Sequence, residues 1–256
     1  MNEHAAHQGR IRRVAHRTVD TLVGPRWGPV GRVGTDEPVV ALTFDDGPDP
    51  RWTPRILDIL AGNDCHASFF MLLHNARRHP ELVRRVAAEG HEVCLHGIDH
   101  RRLTGGSRRS TRQLLGGAAS ELAEISGVPV TCFRPPFGAQ TLSTFLGACD
   151  AGLETVMWDV DSFDWRVPDE QEVASDVIAR AGAGSIVLLH DTLADDPESD
   201  FERADTVHMI VAGLARRALS SATVSRLMSS GTVHRVAHYP LTIGSAKALA
   251  VRAWPR

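Results

Sequence analysis

Between residues 37 and 230, short apolar runs alternate with amphipathic stretches about six times, and this alternation restricts the fold more than any other feature of the chain. The apolar runs predict strands over 38–45, 66–72, 92–95, 130–133, 154–160, 185–189 and 222–226. The stretches between them carry apolar residues three and four apart, as in Ile56, Leu57, Ile59 and Leu60 or Leu82, Val83, Val86 and Ala87. That spacing predicts helices over 53–62, 79–89, 110–126, 141–151, 170–181 and 203–218. A repeated strand-then-helix pattern defines the α/β class, as a parallel sheet or barrel. A length of 256 residues suits one such domain. Residues 1–36 are expected to be an extension, with a helix over 9–23 and a Gly/Pro-rich connector, Gly24-Pro25-Arg26-Trp27-Gly28-Pro29. The domain proper is expected over 37–230, followed by a patternless tail over 231–256.

Polar clusters sit at the ends of these strands. Asp45-Asp46, His96, Arg134, Asp161 to Asp164 and His190 each lie at or just after the C-terminal end of an expected strand. In parallel α/β barrels those ends converge on one face, where active sites are built. Residues far apart in sequence are therefore expected to meet in one pocket.

Each cluster has a chemical reading and a plainer one. Asp45 and Asp46 end an apolar run and precede Gly47-Pro48. Neighbours on a regular strand point to opposite faces, so both carboxylates reach one site only if the chain turns there. One can hold a metal while the other accepts a proton from water; an ordinary Asx-turn is the alternative. His96 and His100 are spaced i, i+4, which on a helical turn sets two imidazoles side by side as for one zinc ion. With 13 histidines in the chain, such pairs also arise by chance. Arg134-Pro135-Pro136-Phe137-Gly138 is a stiff loop that can aim backbone N–H groups at an oxyanion, with Arg134 gripping a carboxylate; a structural turn explains it equally. Within Asp161-Ser162-Phe163-Asp164-Trp165 a carboxylate can orient a histidine and Trp165 can wall a sugar-sized pocket. His190 ends a fully apolar run and, paired with a carboxylate, becomes a general acid.

Bulk properties exclude several classes. A net charge of -3 and a pI near 6.5 point neither to nucleic acid nor to an anionic membrane surface. Cys65, Cys94, Cys132 and Cys149 form no Cys-x-x-Cys pair, and most lie in apolar, strand-like surroundings where Cys acts as a small hydrophobe. The basic residues of 1–36 include Arg12-Arg13, but no hydrophobic segment follows, so no export signal is read. No run approaches the roughly 18 apolar residues of a membrane helix. The expected location is the cytoplasm; oligomeric state is not readable.

Taken in order, the five segments resemble the polysaccharide deacetylase family, also called carbohydrate esterase family 4. Thr43-Phe44-Asp45-Asp46-Gly47-Pro48, His96-x-x-x-His100, Arg134-Pro-Pro-Phe-Gly138, Asp161-x-x-Asp164-Trp165 and Leu188-x-His190 match its five motifs. The resemblance implies a distorted (β/α) barrel and a divalent metal, usually zinc, held by Asp46, His96 and His100. It implies Asp45 as general base held by Arg134, and His190 as general acid tuned by Asp164. It places the backbone N–H of Phe137 at the oxyanion, with Trp165 and Leu188 also on the substrate side. Gly97 stands where the family commonly has Ser or Thr, which is expected to remove a loop hydrogen bond and loosen both histidines. Phe137 stands where Tyr is common, with little effect expected because the backbone acts. After His190, Thr192-Leu193-Ala194-Asp195-Asp196-Pro197-Glu198 is an acidic loop expected to line the rim of the site.

The implied reaction is hydrolysis of an N-acetyl group to acetate and a free amine. The lack of an export segment and a 5% aromatic content favour a small acylated metabolite or amino sugar over a polymer. Hydrolysis of a formamide or cyclic amide at the same site, and an inactive carbohydrate-binding relative, are the other readings.

Overall fold

The computed structural model describes residues 28–236. The helix expected over 9–23 lies outside them, as do most of the connector and the tail beyond residue 236. The strands are β1 (Val30–Gly34), β2 (Val39–Asp45), β3 (Ser68–Met71), β4 (Glu92–Leu95), β5 (Cys132–Phe133), β6 (Glu154–Thr155), β7 (Val160–Asp161), β8 (Ile186–His190), β9 (Ser220–Ala222) and β10 (Thr232–Arg235). The helices are α1 (Thr53–Gly62), α2 (Leu73–Arg78), α3 (Pro80–Ala88), α4 (Arg108–Ser126), α5 (Leu142–Asp150), α6 (Glu170–Arg180), α7 (Arg203–Arg216) and α8 (Val224–Ser229).

Strands run in the order β6-β5-β4-β3-β2-β8-β7, with β9 also on β2, and every pairing is parallel. β2 is central and buried at every position. Its side chains alternate between two apolar layers. Val40, Leu42 and Phe44 pack with Ile56, Leu57 and Leu60 of α1, while Val39 and Ala41 join Phe70, Cys94, Cys132 and Ile186 on the inner face. That division follows from the two-residue period of a strand and explains a continuous apolar run at the centre of the sheet. The curled sheet covered by helices on its outside is a distorted (β/α) barrel, as expected.

The barrel is open between β6 and β7, and β1 bridges this seam. Val30 O accepts Met157 N–H at 2.7 Å beyond β6, and Val33 N–H donates to Gly184 O at 2.9 Å before β8. β10 pairs antiparallel with β1 on the outside. Residues 30–34, read in sequence as part of the extension over 1–36, and 232–235, read as tail, thus form a two-stranded ribbon joined across about 200 positions of sequence.

Other elements differ locally. The run 154–160 yields two short strands, because Met157 N–H turns to β1 instead of a neighbour in the sheet. The strand expected over 222–226 is Ser220–Ala222, after which Thr223 accepts the N–H of Arg226 and starts α8. α2 is an additional helix, only six residues long, too short to show a period. Among the described residues, no helix is long and apolar enough to cross a membrane.

Candidate active site

The site is assembled at the C-terminal ends of β2, β4, β5, β7 and β8. β2 delivers the two carboxylates. Asp45 is its last residue, and Asp46 turns at once into the left-handed region with φ 78°. The turn therefore lies at Asp46 itself, one residue earlier than Gly47-Pro48 suggested. A non-glycine residue in that region is strained and persists only where its surroundings hold it. They do so here: Asn75 donates to Asp46 O at 2.8 Å, and Ala194 N–H donates to Asp46 Oδ2 at 2.9 Å. Gly47 is required for space, since a Cβ there would lie 2.1 Å from the Asp191 carboxylate.

Arg134, at the end of β5, is wholly buried beneath Asp45. It donates to Asp45 Oδ1 at 2.6 Å and Thr43 Oγ1 at 2.8 Å, and to the carbonyls of Val156 and Met157, each at 3.1 Å. Phe70 lies 4.0 Å under its guanidinium. A buried charge so completely bonded fixes one oxygen of Asp45 and leaves the other, Oδ2, facing His96 Nε2 at 3.8 Å.

Asp46, His96 and His100 converge: their ligand atoms lie within 4.8 Å of one another. Asp46 Oδ1 is 3.4 Å from His96 Nε2 and 3.5 Å from His100 Nε2. That oxygen is buried and takes no hydrogen bond. A buried carboxylate oxygen without a donor, set between two imidazole nitrogens, is a donor set that fits a divalent cation. Burial pushes the His96 imidazole below its ordinary range against the pull of Asp45 and Asp46, which favours the neutral ring a metal requires.

The histidine pair is not on a helical turn, as its spacing suggested. Gly97 has φ 106°, a value that breaks the helix and suits glycine. The rings nonetheless meet, with centroids 5.5 Å apart. The loop is anchored without a side-chain hydroxyl at residue 97: Leu73 N–H donates to Gly97 O at 2.9 Å and His74 N–H to Ile98 O at 2.8 Å. His96 Nδ1 lies 2.9 Å from Arg134 O. Backbone bonds to the start of α2 thus replace the bond expected to be lost.

On the opposite side, β8 presents His190. Asp164 Oδ1 lies 2.7 Å from His190 Nδ1, and Asp164 Oδ2 accepts the His190 backbone N–H at 2.9 Å. Of the two aspartates in that loop, Asp164 is thus the partner, while Asp161 accepts Phe163 N–H at 2.8 Å and shapes the turn. Burial opposes the imidazolium, but Asp164 outweighs it and, with Asp46 and Asp45, lifts His190 to about 9. Burial also opposes ionisation of Asp164, yet His190 and then Arg203 leave that carboxyl below the usual carboxylate range.

Phe137 has φ 59° and ψ 15° within the short 3-10 turn Pro136–Gly138. Its N–H donates to no acceptor among the described residues. Its ring is 44% exposed and lies 4.1 Å from that of His100, while Arg102 covers it at 4.3 Å. Trp165 is 50% exposed beyond the acid side. Leu188 is buried in β8, two residues before His190 and so on the same face of the strand.

Two participants, Arg203 and Asp191, were not anticipated from sequence, and a third, Asp195, comes from the acidic loop expected at the rim of the site. Arg203, at the start of α7 and buried, donates to Asp164 Oδ2 at 3.4 Å and His190 O at 3.2 Å. Asp191, buried behind the Asp46 turn, accepts from Thr53 at 2.5 Å, and burial pushes its carboxyl up to about 7. Asp195 reaches His100 Nδ1 at 3.4 Å. Neither Arg203 nor Asp191 carried a signal, because each acts across a contact that only folding creates. A second group, Glu92, Cys94 and Cys132, also lies within 4.8 Å. Its carboxylate is already bonded by Ser68 and by Ser225, and burial pushes the Cys94 thiol well up.

Known proteins resemble this chain in sequence and in fold. A family profile described as polysaccharide deacetylase matches residues 32–156. A chitooligosaccharide deacetylase of Sinorhizobium fredii is 39% identical over 168 residues, 65% of this chain and 78% of the relative. A peptidoglycan-N-acetylglucosamine deacetylase of Bacillus cereus is 37% identical over 62% of this chain and 75% of its own length. Among solved structures, the peptidoglycan deacetylase PdaC of Bacillus subtilis superimposes with a TM-score of 0.68 at 31% identity, covering 77% of this chain and 93% of that one. The family 4 carbohydrate esterase of Streptomyces lividans, solved with acetate, gives 0.67 at 27% identity over 79% of this chain and 100% of its own. Fold and relatives together define a hydrolase, of the deacetylase kind. The chain belongs to the polysaccharide deacetylase family.

Proposed function

We propose that this chain is a divalent-metal-dependent N-deacetylase acting on N-acetylated amino sugars, with N-acetylglucosamine oligomers as the substrate class. The observation that carries the metal reading is the donorless, buried Asp46 Oδ1 between His96 Nε2 and His100 Nε2. Asp46, His96 and His100 would hold the ion, with zinc the first to test. When bound, a divalent cation supplies Lewis acidity toward water and toward an acyl carbonyl.

The chain's own residues divide the remaining work. Arg134 occupies one oxygen of Asp45, so the other is left to accept the proton of the attacking water. The N–H of Phe137, which has no acceptor among the described residues, is a donor for the developing oxyanion, and its left-handed backbone comes from the stiff Pro-Pro-Phe-Gly turn. Asp164 keeps the proton of His190 Nδ1 engaged, so Nε2 delivers its proton to the leaving nitrogen. A water and an amide become acetate and an amine. Trp165 is half exposed, suited to the apolar face of a sugar ring, and the carbohydrate relatives support the same substrate class. Residues 37–230 form the proposed catalytic unit.

The test is acetate release by chelator-treated protein resupplied with zinc or cobalt, across N-acetylglucosamine oligomers of increasing length and small N-acylated amines. Metal-dependent release from the oligomers is the expected result. Release only from small acylated amines would replace the substrate class, and metal-loaded protein that releases no acetate from any of them would overturn the reading.

A further inference from the structure

We infer that Asp195 is a positioning residue of the metal centre, accepting the Nδ1–H of His100 so that Nε2 presents its lone pair to the ion. The inference rests on the metal-site reading above. A ligating imidazole is oriented, and its tautomer chosen, by whatever the other ring nitrogen bonds. Two of the three ligands already have that outer partner. His96 Nδ1 has Arg134 O at 2.9 Å. Asp46 Oδ2 has the N–H of Ala194 at 2.9 Å, which leaves Oδ1 for the ion.

His100 is the exception. Its Nδ1 is buried and makes no hydrogen bond. Phe137 lies against the ring, tilted by 37° at 4.1 Å between centroids, but offers no acceptor. The group facing Nδ1 is Asp195 Oδ1 at 3.4 Å. A good N–H···O bond spans about 2.7–3.2 Å and runs nearly straight, so the carboxylate has to approach by a few tenths of an ångström and swing into line with Nδ1. Asp195 can make that move. Its side chain is 69% exposed, and its backbone neighbour Ala194 is already tied to Asp46. One short stretch after β8 would then hold two metal ligands from behind, one through a backbone N–H and one through a carboxylate. A carboxylate in that position makes the imidazole a stronger ligand, and losing such an outer partner weakens metal binding about 10–100-fold.

The experiment measures zinc affinity of the full chain by competition with a chromophoric chelator, for the parent, Asp195→Ala, Asp195→Asn and Asp196→Ala. Asp195 is exposed, so its replacement leaves the core intact. Asp195→Ala is expected to bind zinc about 10–100-fold more weakly, Asp195→Asn in between because its amide oxygen still accepts, and Asp196→Ala within about twofold of the parent. In the zinc-loaded parent, nitrogen NMR of His100 should show the proton on Nδ1. Unchanged affinity in Asp195→Ala, or an equal loss in Asp196→Ala, would show only a diffuse charge effect and overturn the inference. A parent chain that binds no zinc would defeat both this inference and the metal reading. One that binds zinc with the expected order of variants but releases no acetate would leave the inference standing and remove only the deacetylase assignment.

Discussion

Two neighbouring carboxylates end β2, and their environments separate them. Asp45 is bonded by a buried guanidinium, while Asp46 has an oxygen no donor satisfies. Asp45→Asn is therefore expected to retain zinc yet lose about 10²–10⁴-fold in kcat, since only proton acceptance is removed. His96→Ala should lose zinc itself, by metal analysis after gel filtration; full metal content would reject that ligand. Gly47 tests the turn. A methyl group placed 2.1 Å from the Asp191 carboxylate must displace it or the turn, so Gly47→Ala should cost about 1–3 kcal/mol in a denaturant titration.

At the scale of elements, β8 and the loop after β7 form an acid pair. The folded pKa of His190 is raised to about 9 from the ordinary 6.5, so the stabilisation it brings is complete below about 6.5 and disappears as pH rises through about 9. Asp164 behaves oppositely: its carboxyl is held down, so its contribution is present above the ordinary carboxylate range and lost as pH falls through its folded value. For the proposed reaction the same rise keeps the proton on His190 at neutral pH. Asp164→Asn should move the alkaline limb of kcat/KM downward, toward the ordinary histidine range, along with lowering the rate. An unmoved limb would mean that His190 is not the group reporting there.

For the molecule as a whole, the residues proposed to hold the metal sit just after β2 and on the loop after β4, with Ala194 and Asp195 from the stretch after β8 beside them. A ligand that binds only this folded arrangement stabilises it by mass action, by about 2.7 kcal/mol at one hundred times its Kd. Added zinc should raise the Tm of the parent, chelator should lower it, and His96→Ala should respond to neither. The ribbon of β1 and β10 matters at this scale as well. It bridges the open seam of the barrel, with Arg32 on Asp159 at 2.6 Å and Arg235 on Glu154 at 2.7 Å.

The sequence by itself determined the α/β class, the elements nearest the site and the residues that meet there. Those depend on local information: apolar period, strand length and polar residues placed at strand ends. β2 shows the agreement closely, running 39–45 against an expected 38–45. What the tertiary structure alone decided is what depends on contacts between distant segments. β1 and β10 were illegible because each is specified by the other and by the seam they meet. The loop geometry of His96 and His100 could not be read from i, i+4 spacing, because Gly97 takes its φ of 106° where the carbonyls of the loop find donors at the start of α2. Arg203 and Asp191 gained their places only through folding, as did the pairing of Asp195 with His100, since a charge's meaning depends on what it faces and sequence does not show that until the barrel closes around it.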